Sequence, residues 1–137
     1  MQHPLIGNKF GLEIDYELLK CGTRASPLIV VSDHTGYNGN DLFVSMLPSQ
    51  YIPENLGAFK CICWFPETLF NNKTYFIKVD ITSFYPQVIC HASVINEISF
   101  DVLESDISKR NVEYKDLYFH GALRPKLDWE LIPHSIF

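Results

Sequence analysis

Between Gly57 and Ile81 the chain alternates apolar and polar side chains twice, on either side of a proline. In Phe59-Lys60-Cys61-Ile62-Cys63-Trp64-Phe65 one face receives Phe59, Cys61, Cys63 and Phe65, and the other receives Lys60, Ile62 and Trp64. A period of two is the signature of a strand, because successive side chains point to opposite faces of a sheet. Pro66 ends the first run, and Asn71-Asn72-Lys73 has turn chemistry. The second run then places Tyr75, Ile77, Val79 and Ile81 on one face, opposite Lys78 and Asp80. The two runs are expected to pair as antiparallel neighbours with one dry face and one mixed face. A lone hairpin leaves its dry face in water, so a second sheet is required to cover it.

The 137 residues are expected to form a single domain, residues 1–137. A chain of this size buries roughly 68–70% of its unfolded surface, so it can form a core without cross-links. The aromatic residues are mostly Phe and Tyr, which favour strands. A net charge of -5 argues against a nucleic-acid partner, since phosphate binding needs concentrated Lys and Arg, and it disfavours an anionic lipid surface as well. No window of about 20 apolar residues exists, so no membrane insertion is expected, and Met1-Gln2-His3-Pro4 lacks the pattern of a secretory signal. Cys21, Cys61, Cys63 and Cys90 make no zinc pattern, because a C-x-C on one strand face has no second pair or spaced histidine. Reduced, partly buried thiols in a soluble intracellular chain are expected.

Elsewhere Leu12-Glu13-Ile14-Asp15-Tyr16-Glu17-Leu18 alternates without a fault, apolar inside and acidic outside. Leu28 to Asp33 reads as a short strand buried on both faces. Leu42 to Leu47, Val88 to Val94 and Glu97 to Leu103 read as further strands, whereas Pro48 and Pro53 forbid regular pairing between them. Glu104 to Asp116 is charged and less patterned, and is expected to form a surface excursion. Leu127, Trp129 and Leu131 alternate with Asp128 and Glu130, so the tail is expected to form a final strand at about 125–133. Seven or eight short strands with regular turn signals and no long helix predict an all-β protein. The architecture expected is an antiparallel β-sandwich of immunoglobulin-like or jelly-roll type.

Five segments follow one another in the order LEIDYELL, LIVVSDHTGYN, SQYIPENLGAFKCICWFPETLFNNKTYFIKVDI, ISFDVLE and GALRPKLDWE. This order resembles the carboxy-terminal domain of Wzt-type proteins, the ATPase subunits of ABC transporters that export O-antigen and related bacterial polysaccharides. The resemblance spans Gly11 to Glu130. It implies a β-sandwich that binds the exported glycan in the cytoplasm, at the inner face of the inner membrane. Its partners would then be the lipid-linked polysaccharide, the transporter's ATPase and membrane subunits, and a second copy of the domain. In that family the carboxy-terminal strand is associated with dimerisation, which would give that role here to Leu127, Trp129 and Leu131. The chain lacks the G-x-x-x-x-G-K-[ST] phosphate loop of the ATPase half, so the ATPase domain is absent from it and no nucleotide cofactor is expected.

Sugars present hydroxyls and patches of C–H, so a site for them needs aromatic faces beside hydrogen-bonding groups. The mixed face of the central pair offers Lys60, Trp64, Phe76, Lys78 and Asp80; packing of that face under a loop or a partner chain, with Trp64 in the core, is the competing expectation. The loop with Tyr37, Asn38, Asn40 and Asp41 is a second candidate, against plain turn chemistry, and Tyr118 with His120 is a third. Enzymatic chemistry has little support. His3, His34, His91, His120 and His134 lie far apart in sequence without metal-ligand spacing, and no G-x-S-x-G elbow is present. Neither a catalytic residue nor a metal is therefore expected.

Overall fold

The computed structural model describes residues 3–33, 41–94, 98–104 and 121–133. Its strands are β1 (Phe10–Leu18), β2 (Ser26–Ser32), β3 (Asp41–Met46), β4 (Gly57–Phe65), β5 (Thr74–Ser83), β6 (Ile89–Ser93) and β7 (Ile98–Asp101). A short 3-10 turn at Ser49–Tyr51 occupies the proline-flanked stretch where regular pairing was not expected. No described helix is long and apolar enough to cross a membrane.

The strands form two antiparallel sheets, the all-β sandwich arrangement that the alternation predicts. The smaller sheet is β1 paired with β4, from Phe10 opposite Phe65 to Leu18 opposite Gly57. The larger has the order β3-β2-β5, and the far edge of β5 is shared end to end by β7, along Thr74 to Ile77, and β6, along Asp80 to Ser83. Between the sheets lie Ile29 and Val31 from β2, Phe65 from β4, and Tyr75, Ile77 and Val79 from β5, joined by Phe70 and Val102. Phe10, Leu12, Ile14 and Cys63 pack against this cluster from the small sheet. β1, β2, β4 and β5 thus turn one apolar face inward, as one dry face per sheet demands.

The central pairing is corrected. β4 and β5 do not pair; they lie in different sheets. The link between them explains the crossing. Phe70 and Asn71 are buried within it, and the Phe70 ring meets Phe65 at 5.2 Å on one side and Tyr75 at 4.6 Å on the other. The Tyr75 hydroxyl accepts a hydrogen bond from Asn71 N at 2.8 Å and donates one to Ala122 O at 2.7 Å, which locks the corner. A hairpin would need a shorter loop with nothing buried in it.

The tail is the second correction. Residues 124–133 form no strand. The tail is tied to the β4–β5 link by a bridge between Phe70 and Leu123 and by hydrogen bonds from Arg124 N to Leu69 O and Lys126 N to Thr68 O. Arg124 also meets Glu104 at 3.0 Å in a largely buried ion pair. Beyond those ties Leu127, Trp129 and Leu131 are 64%, 91% and 93% exposed. Alternation makes a strand only where a sheet edge receives it, and no described strand does so here. The four cysteines are free, with Cys61 and Cys63 half-buried as expected and Cys21 and Cys90 exposed.

Candidate functional site

The outward face of the β1–β4 sheet places Gly11 opposite Trp64, Glu13 opposite Ile62, Asp15 opposite Lys60 and Glu17 opposite Ala58. Gly11 makes room for the indole. A Cβ there would stand 2.9 Å from Trp64 Cε3 and 3.0 Å from Ile62 Cγ2 and Cys63 O. Trp64 is 56% exposed, so it is a surface residue and not part of the core. Lys9 Nζ sits over its ring, 4.8 Å from the centroid, as an exposed cation on an aromatic face.

Lys60 Nζ reaches diagonally to Glu13 Oε1 at 2.8 Å. The hydrogen bond to Glu13 raises the Lys60 pKa, and the charges of Glu13 and Asp15 add to it, so the ammonium form is reinforced. The face therefore combines one indole, two ammonium groups, and the carboxylates of Glu13, Asp15 and Glu17. Carboxylates accept hydrogen bonds from hydroxyls, ammonium groups donate them to oxygens, and an indole face takes C–H surface.

Phe76, Lys78 and Asp80 lie elsewhere. They are half-buried on the outward side of the five-stranded sheet, opposite Ser32, Val30 and Leu28 of β2. Asp80 Oδ1 there accepts a hydrogen bond from Ser93 Oγ at 2.6 Å. The sandwich interior separates this trio from Lys60 and Trp64, so the single mixed face expected from sequence is two faces on opposite sides of the molecule. Asp41 begins β3, while Tyr37, Asn38, Asn40, Tyr118 and His120 lie outside the described residues.

Reading the sequence alone did not single out Lys9, Gly11 and Glu13. They join the site through the β1–β4 pairing, which links positions about fifty residues apart. No local signal reports such a contact. The acidic alternation of β1 was visible, but what lay beside it was not.

The two half-buried thiols are not poised as nucleophiles. Burial is the largest cause raising the Cys61 thiol, with Cys63 and Asp15 adding to it, and burial alone raises Cys63. Thiolate chemistry is therefore suppressed at both. His91 Nε2 lies 2.7 Å from Ser83 Oγ, a contact that fastens β6 to the end of β5, and Ser83 is buried. Among the described residues no group of three or more His, Cys, Asp or Glu stands in a metal-holding arrangement.

No family model, curated protein or solved structure matches the chain.

Proposed function

We propose that the chain is a non-catalytic carbohydrate-binding domain that recognises a bacterial O-antigen or related polysaccharide for export by an ABC transporter. The observation that carries this reading is the half-exposed Trp64 set among Lys9, Lys60, Glu13 and Asp15 on an open sheet face. A pyranose would lay its C–H side on the indole and displace the Lys9 ammonium, which an exposed cation–π contact holds only weakly. Glu13 and Asp15 would accept hydrogen bonds from sugar hydroxyls, and Lys60 would donate one to a ring or hydroxyl oxygen. The order of sequence segments that resembles Wzt-type domains supports the same substrate class. It also supports a place in the cytoplasm, at the inner face of the membrane beside the transporter's ATPase and membrane subunits.

Calorimetric titration with the polysaccharide of the organism that encodes the chain, against a panel of unrelated polysaccharides, tests the reading. Saturable binding of the cognate glycan, lost in Trp64→Ala with the circular dichroism unchanged, is the expected result. Absence of heat with every glycan contradicts it.

The exposed tail favours a second reading, that of a dimerisation or regulatory domain of the transporter ATPase without its own glycan site. Leu127, Trp129 and Leu131 expose an apolar edge that a second copy would cover. The two readings are compatible, since a homodimer presents two glycan faces and gains avidity. Light scattering of the full chain and of Trp129→Ser/Leu131→Ser distinguishes them. A dimer dissociated by the substitutions supports the tail's role, and a monomer at micromolar concentration removes it.

A further inference from the structure

We propose that the free edge of β1 docks an extended polypeptide segment from a partner protein in which apolar residues alternate with lysine or arginine. The observation behind this is a mismatch of widths. The large sheet is four strands wide, counting β6 and β7 as one edge row, whereas the sheet stacked on it has two. Strands lie about 4.8 Å apart, so a two-stranded sheet cannot cover a four-stranded one. The strip that no described strand covers lies between β1 and the β6/β7 row.

Two clefts fill that strip. One, of about 830 Å³, runs beside the first half of β1 and has Phe10, Ile77, Ile98 and Phe100 among its lining. The other, of about 560 Å³, continues along the second half of β1 to Leu18 and reaches Val79, Ile81 and Ala92. Together they follow the whole strand. Among the described residues β1 pairs only with β4, and no described strand takes the peptide N–H and C=O groups along its other edge, the edge beside this apolar channel. A channel bordered by an open ladder fits a strand, since main-chain hydrogen bonds give affinity and alternate side chains enter the apolar space.

Charge decides which strand. The outward positions of an added strand would stand beside Glu13, Asp15 and Glu17, where opposite charges stabilise a cross-strand pair and like charges oppose it. The chain's own tail fits poorly, because Asp128 and Glu130 alternate with its apolar residues and would meet those three acids. A segment with Lys or Arg at every second position fits both the channel and the acids. This inference does not rest on the glycan reading.

The test uses the full chain and a synthetic peptide alternating lysine with valine, of the same nine-residue length as β1. Two controls accompany it: the same peptide with every backbone nitrogen methylated, and a peptide with glutamate in place of lysine. Affinity is read by titration, and hydrogen exchange of the β1 amides is read with and without peptide. We expect saturable binding of the lysine peptide with slowed exchange across Phe10–Leu18, and binding weakened at least about tenfold for both controls and for Asp15→Lys/Glu17→Lys. Equal binding of the methylated peptide, which keeps the charge but loses the ladder, overturns the proposal. So do slow exchange of every β1 amide in the free chain, which would mean the edge is already paired, and failure of the lysine peptide to bind.

Discussion

Gly11 and Trp64 face each other across two strands, and the absence of a side chain at one is what lets the ring of the other sit close above it. Its backbone is in ordinary strand geometry, so a substitution there is resisted by contact and not by φ. Gly11→Ala is expected to push the indole outward and to cost about 1–2 kcal/mol, in the range of overpacked sites. The urea midpoint and the tryptophan emission maximum of the variant check this together. An unchanged emission maximum would mean that the ring does not depend on Gly11. The Lys60–Glu13 pair beside it is exposed and contributes little to stability; its role here is to hold a carboxylate and an ammonium at fixed places on the face.

The decisive element is the link from β4 to β5. Phe70 is buried at its centre and stands within 6.2 Å, centroid to centroid, of Phe10, Phe43, Phe65, Tyr75 and Phe100. It therefore joins both sheets to the crossover. Phe70→Ala is expected to cost about 3–5 kcal/mol by leaving a cavity, and Tyr75→Phe about 1–2 kcal/mol by removing the hydrogen bonds of the phenol with Asn71 N and Ala122 O. Chemical denaturation of the two variants gives both values, and a Phe70→Ala loss below that of Tyr75→Phe would contradict the packing described. This link also marks where sequence stopped being legible. The alternations of β1, β4 and β5 each identified a strand and its inward face correctly, since that information is local. The partner of each strand is not local. Successive strands are usually neighbours, so β4 and β5 read as a pair, and only the burial of Phe70 and Asn71 between them reveals a crossover. The tail failed for a related reason. Leu127, Trp129 and Leu131 state a need for an apolar partner, and the described part of the chain does not supply one. On the site, the alternation puts Trp64 and Lys60 on one face but leaves Trp64 in the core as a competing reading, and Phe76, Lys78 and Asp80 join them only through the mistaken pairing.

At the scale of the whole molecule, the acid groups tucked between and beside the sheets set the response to pH. Burial is the largest cause raising Tyr16, Cys61, Cys63 and Tyr75 above their ordinary values. For each, the folded state holds its proton more tightly than the unfolded state. The stability they contribute is fully present below the unfolded pKa, about 8.5 for a thiol and 10 for a phenol, and is lost as pH rises through the folded value. The urea midpoint is therefore expected to hold steady between about pH 7 and 8 and to fall above about 9. Cys61→Ala/Cys63→Ala should soften the thiol part of that fall, and a midpoint that rises with pH would contradict the assignment. On the same scale, the crossover divides the molecule into two outward faces, and the proposed function places the glycan on only one of them. Amide chemical-shift mapping during a titration with the cognate polysaccharide tests that placement most directly. The account predicts perturbations clustered on Gly11 to Asp15 and Lys60 to Trp64; a cluster on Phe76 to Asp80, or no perturbation at saturating glycan, would contradict it.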